Sequence, residues 1–520
     1  MTLFPCRWLR FSGILPVFPL VCSLYLLIGV PRAQAEPPAG LDDFVNAELK
    51  EYKTPGASVA VIEGDHIFAK GYGVRSINKP QPFDADTLLP IASVTKAFTA
   101  ALVAIEVDEH KFGWDDRVVD HLPGFQLQDM YATSNCTPRD LLAHRCGLPA
   151  FGGDTLEAIG YSREEILHRI RYIKPACTFR ERANYSNPGI FMAGMMAAHA
   201  ANTTYETLLE TRLFEKLQMT RSGWSYKDYD TKSNVAEGHD IGADGTQHAV
   251  AWDDDFGLGP AGEITSTAND LAHFVQMQLS DGRFNGMQIV SPESIREMHK
   301  PAIVSDPTFA EMPPIDEHSN FSFALGWDVY CYKGHQIIEK AGARLGVRSI
   351  IVLVPDKKLG FVVLANENMT MIPEAIRAYL IDKMVEPAGV DLQAMIRAKN
   401  EQLQKVFGQA AKQVPKQTAP ISLPLAKYAG DFQNELYGKF TVFVDKGHLR
   451  YRIGPANIEG PLDPIGYNTF SLSWPPTRVT LPENVTFTIA EDGAASSVMT
   501  ESIGEFTKIA AKKTSSELGL

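Results

Sequence analysis

Apolar residues along this chain follow two different periods, and the switches between them mark the elements. From Ala57 the run ASVAVIEGDHIFAKGYGVRS sets short β-branched stretches on either side of Glu63-Gly64-Asp65, the pattern of two strands joined by a tight hairpin. Residues 93–109 are apolar nearly all round, as in a helix that is covered on every side. Between about 137 and 280 the period is helical: PRDLLAHRCGL, IFMAGMMAAHAA and STANDLAHFVQMQL each repeat apolar residues at three and four. Strands return in GVRSIIVLVPDKKLGFVVLANE, where Pro355-Asp356-Lys357-Lys358 turns one apolar run back on the next. Strands at both ends with helices between them predict an α/β (α+β) domain whose one sheet is assembled from both ends, with an inserted helical region.

The pattern changes again past residue 392. Residues 393–420 are polar, helical at first and then broken by proline, and read as a linker. Beyond them YAGDFQNELYGKFTVFVDKGHLRYRI opens a series of short alternating strands with Gly, Pro and Asn turns. That is a separate all-β module of about ninety residues, a small barrel or a sandwich. A chain of 520 residues exceeds the usual size of one core. The expected division is therefore a leader at 1–35, a large domain at 36–392, a helical linker at 393–420 and the β module at 421–512.

The leader carries Arg7 and Arg10, an apolar stretch from Phe11 to Val30, and Ala33-Gln34-Ala35 before Glu36. This reads as a secretory signal with an A-x-A cleavage site, which makes the mature protein secreted or periplasmic with no stable membrane span. An uncleaved anchor is the alternative, since about twenty apolar residues span a bilayer, but Pro16 and Pro19 suit a spanning helix poorly. Losing residues 1–35 removes three Arg and no acid, which takes the formal net charge from −13 to −16. So acidic a chain does not call for nucleic acid as a partner. Homo-oligomerisation stays open. Of the cysteines, Cys6 and Cys22 lie in the leader, leaving Cys136, Cys146, Cys177 and Cys331. An even number suits an oxidising compartment, although their pairing cannot be read and buried free thiols remain an alternative; no C-x-x-C spacing suggests a metal.

Ser93 and Lys96 stand one turn apart at the start of the buried helix. A serine there has an amide with no partner inside the helix, and a lysine in apolar surroundings loses charge, as a base must. The plainer alternative is a capping serine with a snorkelling lysine. Ser76-Ile77-Asn78-Lys79 has the same spacing, but before a turn of Asn, Lys and Pro, and serves as an internal decoy. Tyr185 and Asn187 precede a second apolar helix; a neighbouring lysine cation would favour the phenolate of Tyr185, and Asn187 before Pro188 also fits a helix cap. Lys340-Ala341-Gly342-Ala343 lies just ahead of the late strands, where a small residue lets substrate backbone approach and the Ala343 amide can serve an oxyanion. Alone, Lys340 reads equally as an edge-strand lysine beside a glycine bulge, and Lys111 and Lys358 also stand in K-x-G.

Taken in order, these three motifs resemble the serine β-lactamase and penicillin-binding protein superfamily, and Tyr-Ser-Asn in second place looks like its class C β-lactamase, DD-peptidase and esterase branch. TPRDLLAHRCGLP, GPAGEITSTANDLAHF, FALGWDVY and GVRSIIVLVPDKKLGFVVLAN are similar to that branch too, over about residues 40–390. YAGDFQ and GYNTFSLSW resemble an appended lipocalin-like β domain. The resemblance implies acyl transfer without metal or organic cofactor. Ser93 attacks a carbonyl, Lys96 and Tyr185 move its proton, Asn187, Lys340 and Gly342 order the site, and the Ser93 and Ala343 amides bind the oxyanion. The implied substrate is a small molecule, peptide or ester, and the implied activity a peptidase, amidase or carboxypeptidase. An esterase, a true β-lactamase, or a penicillin-binding sensor that acylates with little turnover are the rivals. One departure counts against β-lactam or D-alanine substrates: Ala341 stands where the family has a Thr or Ser that helps hold a substrate carboxylate. Arg344 is the candidate replacement, with a bidentate fork, and a side chain that only faces solvent is the alternative. The β module is expected to stand apart from the chemistry.

Overall fold

The chain was studied as a computed structural model that describes residues 36–224, 232–242, 245–250, 252, 258–305, 320–412, 417–474 and 482–509, without the side chains of 406–412. The leader at 1–35 lies outside the described residues.

The large domain is built on an eight-stranded antiparallel sheet. Its strands are Gly56–Glu63 (β1), His66–Gly73 (β2), Ile303–Val304 (β3), Ser322–Phe323 (β4), Asp328–Tyr332 (β5), His335–Arg344 (β6), Val347–Val354 (β7) and Leu359–Ala365 (β8). They lie side by side in the order β2-β1-β8-β7-β6-β5-β4-β3. The β1–β2 hairpin turns at Gly64-Asp65, and Lys358 closes the β7–β8 turn in the left-handed region at φ 51°. β1 pairs along its length with β8, from Ala57 opposite Ala365 to Glu63 opposite Leu359, so the two ends of the domain do share one sheet. β7 and β8 are buried at every position, and this is why their sequences run apolar without alternation: both faces are covered.

One face is covered by helices Thr95–Asp108 (α2), Asn187–Ala200 (α3) and Ala268–Leu279 (α4), the other by Leu41–Glu51 (α1) and Ile372–Leu380 (α5). In α2 every residue from Thr95 to Glu106 is buried, and Phe98 stacks on Phe274 of α4 with centroids 3.8 Å apart. The linker reading needs correcting at its start. Helix Leu392–Lys412 (α6) buries Leu392, Ile396 and Leu403 in the second core, so its first half belongs to the large domain.

The module after the linker is a closed barrel, not a sandwich. Its eight strands, from Gly430–Asn434 (β9) and Gly438–Asp445 (β10) to Gly504–Lys508 (β16), pair in sequence order, and β9 closes on β16 through Phe432 opposite Lys508. Alternate residues fill it: Phe440 stacks on Tyr451 at 5.5 Å, and Phe470 meets Phe487 edge-on at 5.6 Å. An eight-stranded barrel is just wide enough for such a filling, and the up-and-down order is that of lipocalins.

Candidate active site

Ser93 does not start α2 directly. It sits in a 3₁₀ turn, Ala92–Val94, and the preceding Ala92 holds a left-handed backbone at φ 47°, a conformation that costs energy outside glycine. β6 fixes this turn from the side: Ser349 of β7 donates to the Ile91 carbonyl at 2.7 Å, and Gly342 leaves no room for a side chain. A Cβ there would lie 2.3 Å from the Ile91 oxygen and 3.0 Å from the Ser93 nitrogen.

The half-buried Ser93 hydroxyl stands between two proton carriers. Lys96, fully buried one turn on, holds Nζ 3.0 Å from Oγ and donates to the Ala261 carbonyl at 2.7 Å. Tyr185 donates its phenol to Oγ at 2.7 Å. Burial, and after it the Lys340 charge, push the Lys96 amine well below its usual range and favour its neutral form. Tyr185 departs from expectation. Burial drives its phenol up to about 12, outweighing the Lys340 cation, so the environment favours the phenol over the phenolate.

Lys340 lies on β6, an interior strand, which removes the edge-strand reading. Its Nζ donates to both carboxylate oxygens of Asp328 on β5, each at 2.9 Å, and lies 5.2 Å from the Tyr185 ring centroid. Asp328 was missed in FALGWDVY because only strand pairing brings it opposite β6. Asn187 is not the cap of α3; Ser186 is, accepting from the Gly189 amide at 3.2 Å, and Asn187 is left to donate to Asp154 Oδ2 at 2.7 Å. Burial lifts Asp154 to about 6, against the Asn187 hydrogen bond that lowers it. His144 accepts from the Ser186 amide at 3.1 Å, with its ring centroid 4.8 Å from that of Tyr185. Burial, then the Lys340 charge, push it well below the usual imidazole range. No sequence signal marks Asp154 or His144.

The pocket at Ser93 is walled by Asn187, Ala343 and Arg344, and by the carboxylates of Asp154, Glu157 and Glu263. Arg344 thus faces the cavity, although the nearby Glu263 offsets part of its charge. The decoy falls elsewhere: Ser76 is buried and its hydroxyl donates to Glu237. Cys136 and Cys146 are buried thiols with sulfurs 2.9 Å apart. Among the described residues no group of His, Cys, Asp and Glu is arranged to hold a metal ion.

Comparison with known proteins agrees with this geometry. The profile of the Beta-lactamase family matches residues 41–385, and that of a domain of unknown function, DUF3471, matches 414–513. The chain is 26% identical to an unguisins hydrolase of Aspergillus campestris over 427 residues, 78% of this chain and 77% of that one. The octameric penicillin-binding protein homologue from Pyrococcus abyssi superposes with a TM-score of 0.58 at 22% identity, covering 90% of this chain and 99% of that one. The β-lactamase/D-alanine carboxypeptidase from Pseudomonas syringae superposes at 0.56 and 20% identity, covering 67% of this chain and all of that one. With a family match across most of its length, a fold shared with those structures and a Ser-Lys-Tyr cluster beside β6, the chain belongs to the β-lactamase family of serine hydrolases.

Proposed function

We propose that this chain is a secreted or periplasmic enzyme that cleaves amide bonds by acyl transfer through Ser93, as a peptidase, amidase or carboxypeptidase. The observation that carries the reading is one oxygen held between a buried amine and a buried phenol, Lys96 at 3.0 Å and Tyr185 at 2.7 Å. As the bond from Oγ to the substrate carbonyl forms, Lys96 takes the hydroxyl proton, and the oxyanion meets the amides of Ser93 and Ala343. Tyr185 gives its proton to the leaving nitrogen as the carbon–nitrogen bond breaks and is reprotonated from Lys96. The fixed Lys340 cation stabilises the phenolate while it lasts. Water then adds to the acyl-enzyme by the same steps in reverse and releases the acid.

A second reading, cleavage of a β-lactam or a D-alanine terminus, has Arg344 on the pocket wall in its favour and Ala341 against it. The deciding experiment offers D-alanine-terminated peptides, D-amino-acid amides, short-chain esters and a fluorescent penicillin to the protein, with intact-mass readout. Turnover with a transient adduct on Ser93 is expected, and Ser93→Ala abolishes both while the fold survives. An adduct that persists in Ser93→Ala sinks the assignment. A stoichiometric adduct on Ser93 that never turns over makes the chain a sensor.

A further inference from the structure

The barrel does not stand apart from the site. The helix that carries Asp154 and Glu157 into the pocket, Asp154–Ala158, has only five residues and cannot hold its own shape. Its far end is gripped by two barrel turns. At the first, between β9 and β10, Asn434 Oδ1 accepts from the amides of Leu436 and Tyr437 at 2.8 and 3.0 Å and so shapes the turn. Arg169 lies across the Tyr161 ring, with its guanidinium carbon 4.1 Å from the centroid, and donates to the carbonyls of Glu435 and Leu436, both at 3.0 Å. Tyr161 donates to the Tyr437 carbonyl at 3.2 Å. Gly438, at φ 77°, passes so close to Tyr161 that a Cβ would stand 2.1 Å from its hydroxyl. At the second turn the Ala456 amide donates to the Ile159 carbonyl at 3.0 Å, and a Cβ on Gly454 would meet that same carbonyl oxygen at 2.2 Å.

Between these grips Tyr437 reaches inward. It is 8% exposed and its ring is buried in the core that also takes in Leu156 and Ile159, on either side of the pocket helix's end and close to Asp154. Burial first, and the Asp154 charge second, raise its phenol to about 12. From Asp154 the path is one hydrogen bond, 2.7 Å, to Asn187 on the pocket wall.

We propose that Tyr437 of the barrel is a positioning residue of the active site, holding the helix that carries Asp154, and through it Asn187, in register with Ser93. The barrel thereby buttresses one wall of the pocket from behind. This rests on the reading of Ser93 as nucleophile, and the test separates the two.

In the full-length chain, Tyr437→Ala slows acylation of Ser93 by tenfold to roughly a hundredfold, the effect expected when a reacting geometry shifts by about an ångström, with a larger loss in kcat than in KM. Tyr437→Phe, which keeps the ring, recovers most of it. Tyr437→Ala together with Asn187→Ala is no slower than Asn187→Ala alone, because both act on one path. Hydrogen exchange at Gly153 to Tyr161 speeds up in Tyr437→Ala and in Arg169→Gln, which opens the first grip without touching the ring. Normal acylation by a folded Tyr437→Ala, or losses that add in the double variant, overturns the proposal. If the wild type takes no label on Ser93, the nucleophile reading fails. The exchange measurement still decides the positioning, and unchanged exchange in both variants rejects it.

Discussion

At the scale of the residue, the reaction depends on which group in the site is allowed its charge. Burial acts on Lys96 and Tyr185 in the same sense, disfavouring the ammonium and the phenolate alike, and favours the neutral form of each beside Oγ. Lys96→Ala and Tyr185→Phe are each expected to lower kcat by on the order of a hundredfold or more, with substrate binding less affected. Steady-state kinetics on the best substrate from the panel check this, and a change confined to KM would move either residue from proton transfer to positioning. The double variant should be little worse than the single ones. Asp154 gives a pH prediction whose sign is fixed. Its carboxyl titrates near 3.8 when unfolded and near 6 when folded, so the folded state holds the extra proton between those values. Stability from this group is complete below pH 3.8 and is lost as pH rises through 6. Thermal melts of Asp154→Asn should lack that falling component, while the wild type keeps it. These residues differ in how visible they are in the sequence. Ser93, Lys96, Tyr185 and Lys340 carry motif spacing, whereas Asp328, Asp154 and His144 act through partners that only the tertiary fold supplies. The upward shift of Tyr185 was invisible too, since a sequence shows a lysine beside a tyrosine but not the depth at which both are buried.

At the scale of the element, apolar period located the strands and the buried helices, and local backbone chemistry located their ends less well. The 3₁₀ turn at Ala92–Val94 has no compositional mark; the close approach of Gly342 imposes it from outside. The cap of α3 moved by one residue, from Asn187 to Ser186, because both are good caps and only the demand of Asp154 for a donor chooses between them. The pair Cys136 and Cys146 makes a prediction about the segment between them, which holds the Asp140 ion pairs with Arg145 and Arg180 and the His144 that backs Tyr185. Refolding in a glutathione redox buffer should oxidise the two thiols to a disulfide while glutathione disulfide is reduced, and mass spectrometry should find the 136–146 peptide pair lighter by two hydrogens. The folded, reduced protein should react slowly, since burial keeps Cys136 far above the usual thiol range and the thiolate is the attacking species. Rapid oxidation of the folded form would mean that this segment opens.

At the scale of the whole molecule, the presence of a β module after the hydrolase fold was readable from the return of short alternating strands, and the contacts between the two were not. The contacts that join them are backbone carbonyls, an asparagine turn and glycines in close approach, none of which announces an interface in a sequence. The sheet carries a different consequence, one of timing. β1 and β8 are neighbours in space and about three hundred residues apart in the chain, so closing their ladder must wait for nearly the whole hydrolase domain to be made. Until then the β1–β2 hairpin exists with an apolar edge and no partner, a state that invites pairing with another chain. A polypeptide that must keep such an edge covered during its synthesis is a natural client for a chaperone that binds extended apolar segments, and the first sixty to seventy residues are where that hold would be needed.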